Sequence, residues 1–270
     1  MKYLLTLLII IVLFILFIRL IENKFIYFPF KYPRGYWQPE AFGLQVEDCY
    51  FKTADGLRLH GWFVSHENAL ATLIWCHGNA GNITDRLDNL AKFAKLPLNI
   101  FIFDYRGYGK SAGSPDEKGI YLDAEAAYDY LISKKNMDSK KIILFGRSLG
   151  GAVAVDLATR RTCAGLILES TFTSANDMAK SAFGFIPVYL IIKTKLNSIA
   201  KIPHIQVPLL VFHGTRDRTV PIRFGRKLFH AAPEPKEFYE IQGADHNDTY
   251  LVGGQSYFDK LLEFIQQTVQ

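Results

Sequence analysis

From residue 71 onward, apolar runs of strand length alternate with segments of helical spacing, and few folds accommodate such a chain. The strand-like runs are "ATLIWC" (71–76), "NIFIFD" (99–104), "KIILFG" (141–146), "AGLILES" (164–170), "VPLLVFHG" (207–214) and "KEFYEIQG" (236–243). Most are continuously apolar, as strands covered on both faces must be. Between them lie helical patterns over 83–96, 117–135, 149–160, 222–232 and 255–269. This alternation predicts a doubly wound, mostly parallel sheet with helices on both faces. Upstream, "DCYFKT" and "LRLHGWFV" alternate around "ADG", predicting an antiparallel hairpin at one edge of the sheet. In such sheets ligands bind beyond the carboxyl ends of the strands, so the residues just after each strand are the first candidates for chemistry.

The N-terminus reads "MKYLLTLLIIIVLFILFIRLIENKF", with no charge from Tyr3 to Ile18. A helix of this length matches the ~30 Å of a bilayer core, with Arg19 able to snorkel. A cleaved signal peptide is the other reading, but no small-x-small site follows the apolar run. The reading adopted is a transmembrane anchor over 1–24, a juxtamembrane linker over 25–44 and a globular domain over 45–270. Phe25, Tyr27, Phe28, Phe30, Tyr32, Tyr36 and Trp37 follow the anchor as an interfacial belt would. Lys2 precedes the segment and Arg19, Lys24, Lys31 and Arg34 follow it, a bias that puts the domain on the cytoplasmic side.

"FGRSLGG" (145–151) places Ser148 between a strand and a helix, on a turn that needs Gly146 and Gly150 because the two backbones come too close for a Cβ. Of seven histidines, His246 in "GADHND" follows the last strand. His77 and His213 end strands and precede glycines, which reads as structural. His60 and His230 fall inside a strand and a helix. Asp217 in "FHGTRDRTVP" follows the preceding strand and suits the role of fixing the imidazole tautomer. Asp245 and Asp248 compete for that role. Asp245 is adjacent to His246 in sequence, so its side chain should diverge from the ring. Asp104 reads as a turn residue binding amides in "DYRGYG". The glycine-rich "CHGNAGN" (76–82) can turn amides toward a ligand, so the N–H groups of Asn79 and of Leu149 are the proposed oxyanion donors. The nucleophile, acid and base follow the order Ser148, Asp217, His246.

Together "WCHGNAGN", "FDYRGYGKS", "FGRSLGG", "FHGTRDRTVP" and "GADHND" resemble the α/β-hydrolase superfamily, and more narrowly its small membrane-anchored serine-aminopeptidase-like members. The resemblance spans roughly 45–268. It implies the α/β-hydrolase fold, with a short lid over about 171–206 and one preceding transmembrane helix. Two positions depart from the usual pattern. Asp245 stands where a small residue is frequent, and Arg147 where His or Tyr is.

The implied activity is that of a membrane-anchored serine hydrolase cleaving carboxylic esters or thioesters of lipophilic acyl groups. A serine-aminopeptidase-type peptidase and a non-catalytic tethered scaffold are the alternatives. The apolar "SAFGFIPVYLIIKTKL" (181–196) reads as the small lid or as a core-packing helix. Expected partners are an ester substrate and the lipid bilayer. The net charge of +5 comes without a basic-aromatic stretch, so nucleic acid is not expected. No CxxC or HExxH occurs, and no metal or cofactor is expected. Cys49, Cys76 and Cys163 read as buried free thiols.

Overall fold

A computed structural model describes residues 2–184 and 188–269. Eight strands form one sheet: β1 (Glu47–Lys52), β2 (Arg58–Val64), β3 (Ala71–Cys76), β4 (Leu98–Asp104), β5 (Ile142–Arg147), β6 (Gly165–Glu169), β7 (Leu209–Gly214) and β8 (Lys236–Ile241). Their spatial order is β8-β7-β6-β5-β3-β4-β2-β1. Only β1 and β2 run antiparallel to their neighbours, and they sit at one edge. The chain passes from β3 to β4 on one side and returns to β5 on the other. This reversal opens a crevice at the carboxyl ends of β3 and β5.

Successive strand residues point to opposite faces, and both faces are covered. Ile74, Phe101, Phe103, Leu144 and Leu168 pack beneath helices Glu117–Ser133 and Leu149–Ala158. Trp75, Ile102, Phe145, Ile167 and Phe212 pack beneath Leu87–Phe93 and Gly254–Thr268. The period-2 strand pattern is continuous in apolar character because neither set meets water. The expected helix over 83–96 begins with a 3-10 turn, Ile83–Arg86, capped reciprocally by Asn82 and Asp85.

The N-terminal helix, α1 (Lys2–Ile26), is long and apolar enough to cross a membrane. The segment after it behaves differently from a free linker. Phe28 and Pro29 pair with Ala80 and Gly81 as a short parallel ladder, and Lys31 bridges to Gly109. Asn82 donates to the carbonyls of Phe30 (3.0 Å) and Arg34 (2.8 Å). The aromatic belt expected here is therefore corrected in part. Tyr27 is buried in the core, and Trp37 packs against His60 and Trp62. Phe25, Phe28, Tyr32 and Tyr36 remain exposed. The reason is that the ladder to Ala80 and Gly81, with the Asn82 bonds to the carbonyls of Phe30 and Arg34, holds this segment against the domain.

Candidate active site

The turn after β5 carries Ser148 at φ 53° and ψ −116°, a region that a residue with a Cβ enters at a cost of about 1–3 kcal/mol. Surrounding bonds hold it there. The Ser148 N–H donates to Glu169 O (2.9 Å), and the Thr171 hydroxyl donates to Ser148 O (2.8 Å). Gly146 and Gly150 make the turn possible. A Cβ on Gly146 would meet the Gly150 carbonyl, and one on Gly150 would overlap the Cys76 carbonyl.

The structure brings Ser148, His246 and Asp217 into one line. Ser148 Oγ lies 3.1 Å from His246 Nε2, and His246 Nδ1 lies 2.8 Å from Asp217 Oδ2. Three separate strand ends supply these groups: β5, β8 and β7. Asp217 Oδ1 accepts from the amides of Thr219 (2.9 Å) and Val220 (2.7 Å), which fixes the carboxylate plane. Burial alone would raise the Asp217 pKa. Hydrogen bonds from His213 and His246, the imidazole charge and the Val220 amide outweigh that and hold the carboxyl well below the usual range. Asp245 turns away, taking the Arg218 amide (3.0 Å) and guanidinium instead.

The loop after β3 lies beside the nucleophile. A Cβ built on Gly78 would stand 3.6 Å from Ser148 Cβ. The main-chain N–H groups of Asn79 and Leu149 donate to no acceptor among the described residues. The Asn79 side chain is spent on scaffolding. Its amide donates to Ile26 O, and its carbonyl accepts from Phe28 N (3.2 Å) and the Tyr108 hydroxyl (3.1 Å). His77 donates to Gly78 O (2.7 Å), and its own carbonyl accepts from the Tyr105 hydroxyl (3.0 Å). Burial, reinforced by Arg86, pushes the His77 pKa down to about 3, so it stays neutral and structural. Asp104 departs from the expected role. It accepts from the Ile83 amide (3.0 Å) rather than from amides of the turn that follows it. The loop after β3 folds over the end of β4 and brings that amide to the carboxylate first.

Sequence reasoning undervalued Arg147. Its guanidinium donates to His246 O (2.5 Å) and Asn247 Oδ1 (3.0 Å), and its Nε lies 2.8 Å from the Glu169 carboxylate. Glu169 also accepts from Thr249 (2.9 Å) and Tyr257 (2.5 Å). The nucleophile turn and the histidine loop are thus tied by one buried ionic cluster. The only signal in the sequence was an arginine immediately before the serine.

A cavity of about 690 Å³ opens at Ser148 and His246. Its walls are mostly apolar, and Phe172, Ala175, Met178, Ala179 and Ala182 cover it from one side. The apolar stretch over 181–196, read as a small lid or a core-packing helix, forms no continuous helix among the described residues. Ala175–Phe183 forms a helix and Val188–Leu190 a 3-10 turn, while 185–187 lie outside the described residues. Among the described residues, no group of three His, Cys, Asp or Glu side chains could hold a metal ion.

This geometry can be set beside known proteins. Residues 67–201 match the family described as serine aminopeptidase, S33. The chain is 35% identical to the α/β-hydrolase domain-containing protein WAV2 of Arabidopsis thaliana, over 85% of this chain and 81% of that protein. The chain belongs to the α/β-hydrolases, in the S33 family. The family match takes in Asn79 and Ser148 but ends before Asp217 and His246. A second relative, protein bem46 of Schizosaccharomyces pombe, is 32% identical over 91% of this chain and 86% of its own length. Among solved structures, the Pyrococcus furiosus esterase Pf2001 superposes with a TM-score of 0.75 at 22% identity. That pairing covers 90% of this chain and all of that one, and the likeness is one of fold. Hydrolase chemistry is the activity this family and fold support.

Proposed function

We propose that this α/β-hydrolase is a membrane-anchored serine hydrolase that cleaves carboxylic ester or thioester bonds of lipophilic acyl substrates. The observation that carries the reading is the Ser148–His246–Asp217 line, at 3.1 and 2.8 Å, opening into an apolar cavity.

In this reading the imidazole is neutral, with its Nδ1 proton donated to Asp217. Ser148 Oγ attacks the acyl carbon as its proton passes to His246 Nε2. The carbonyl oxygen gains the negative charge and accepts from the N–H groups of Asn79 and Leu149. The imidazolium returns its proton to the leaving alcohol or thiol as that bond breaks. Water, deprotonated by the same nitrogen, then attacks the acyl carbon; the bond to Ser148 Oγ breaks, the imidazolium returns its proton to that oxygen, and the acid leaves.

An aminopeptidase would need an anion for the substrate ammonium. Glu22 is the one carboxylate among the described cavity residues, and both its oxygens already accept protein hydrogen bonds. That favours esters over peptides. The complete triad argues against a scaffold. The Lys and Arg bias around the anchor supports a catalytic domain on the cytoplasmic side.

The test is fluorophosphonate labelling of the full chain in nanodiscs, for wild type, Ser148→Ala and His246→Ala. Labelling of wild type alone is expected. A folded wild type that does not label overturns the reading. Turnover of p-nitrophenyl esters without turnover of aminoacyl amides then separates esterase from peptidase.

A further inference from the structure

The hydrolase reading accounts for the triad and the cavity floor, but it leaves the far wall of the cavity unexplained. That wall is α1. Ile18, Ile21, Glu22, Phe25 and Ile26 all line the space that opens on Ser148. The anchor and the acyl site therefore share residues.

The contact is built rather than incidental. Ile15, Ile18, Glu22 and Ile26 recur at helical spacing and turn toward the domain, while Phe14, Phe17 and Leu20 face outward. Glu22 is 5% exposed, although a carboxylate in an apolar helix is costly to bury without partners. Its partners come from the segment that follows the lid helix. The amides of Lys193 (2.7 Å) and Thr194 (3.0 Å) and the Thr194 hydroxyl (2.9 Å) all donate to it. One turn earlier, Arg19 Nε donates to Ile191 O (3.2 Å). At the helix end, Ile26 O accepts from the Asn79 side chain, whose own N–H is the proposed oxyanion donor. So α1 is bonded to the lid on one side and to the oxyanion loop on the other.

We propose that the last three turns of α1 form the acyl-chain wall of the active site, and that the substrate is a bilayer-resident long-chain acyl ester whose tail runs along this helix. This deepens the hydrolase reading and rests on it. Two observations select a hydrocarbon tail as the occupant. The wall is apolar apart from Glu22, whose oxygens are already spent. Beyond the cavity the same helix carries no charge from Ile18 back to Tyr3 and is long enough to span a bilayer, and Arg19, the charge at the junction, donates to the Ile191 carbonyl. A tail can slide along that helix without crossing water, and its ester then arrives at the membrane-proximal end of the helix, where Ser148 stands. Here Glu22 is a positioning residue. It pins the lid segment to α1 and keeps the wall closed.

The test uses the full chain in nanodiscs and two independent measurements. The first compares kcat/KM for palmitoyl and butyryl p-nitrophenyl esters in Ile21→Trp and Ile18→Trp, with the outward-facing Phe17→Trp as control. A bulky ring in the wall is expected to lower the palmitoyl-to-butyryl ratio by about tenfold or more, since a methylene or two in an apolar pocket changes kcat/KM on that scale. The control should keep the wild-type ratio. Equal ratios in all four proteins overturn the proposal.

The second measurement needs no variant. A fluorophosphonate bearing a long alkyl chain with a terminal diazirine is reacted with wild type and then photolysed. Crosslinks within 15–26 are expected. Ser148 labelling with crosslinks only outside α1 overturns this proposal and leaves the hydrolase reading standing. No Ser148 labelling removes both.

Discussion

The Arg147–Glu169 cluster yields the sharpest quantitative expectation. Replacing Arg147 by Met keeps most of the volume but removes the guanidinium. The Glu169 side chain is fully buried, with only the hydroxyls of Thr249 and Tyr257 left to it. Stripping one partner from a buried ion pair costs about 3–5 kcal/mol, because the remaining charge is uncompensated. For a domain of this size that corresponds to a fall in Tm of roughly 6–20 °C. The His246 carbonyl and Asn247 also lose their donor, so the imidazole is held less firmly over Ser148 and fluorophosphonate labelling slows. The assay is thermal unfolding by tryptophan fluorescence in nanodiscs, with labelling rates at 25 °C. Adding Glu169→Gln to Arg147→Met removes the stranded charge. Most of the lost Tm should return, while the labelling rate stays low because the loop contact is still missing. A fall in Tm below about 2 °C in the single variant, or no recovery in the double, refutes the view that the buried charge pair governs stability here.

Four further outcomes are expected. Asp217→Asn should retain the fold yet lose roughly 10⁴ in kcat on a short ester, because the imidazole takes the wrong tautomer; a loss under tenfold would remove Asp217 from its assigned role. The folded Asp217 carboxyl titrates below its unfolded value, so it stabilises the protein above about pH 4 and that contribution is lost as pH falls toward the folded pKa. Wild type should therefore lose more Tm between pH 5 and pH 3 than Asp217→Asn does. Gly150→Ala drives a Cβ into the Cys76 carbonyl and should abolish both labelling and a cooperative melt. Burial pushes the thiols of Cys76 and Cys163 up to about 12, so neither should react with iodoacetamide at pH 8 until the protein is unfolded in urea.

Ser148, Asp217 and His246 were legible as residue types at strand ends, because a doubly wound sheet puts all those ends on one side of the molecule. Gly146 and Gly150 were legible as well, since a sharp strand-to-helix turn excludes a Cβ there. Asp104 was misassigned because which amide reaches a strand-end carboxylate depends on how a loop from another strand folds over it. Tyr27 and Trp37 looked like membrane-surface aromatics because composition after an apolar helix does not reveal a ladder to Ala80 and Gly81 formed fifty residues further on.

The linear order of apolar runs, glycines and polar strand ends therefore determined the fold class, the family resemblance and the candidate triad by itself, since each depends on local period and on parallel strands whose carboxyl ends share one side of the sheet. Only the tertiary structure decided that Glu22 is buried against Lys193 and Thr194, that Arg147 grips the histidine loop, and that α1 walls the cavity. Those contacts join residues about 100 to 170 positions apart, and a charge in an apolar helix or beside a nucleophile carries no local mark of the partner that neutralises it.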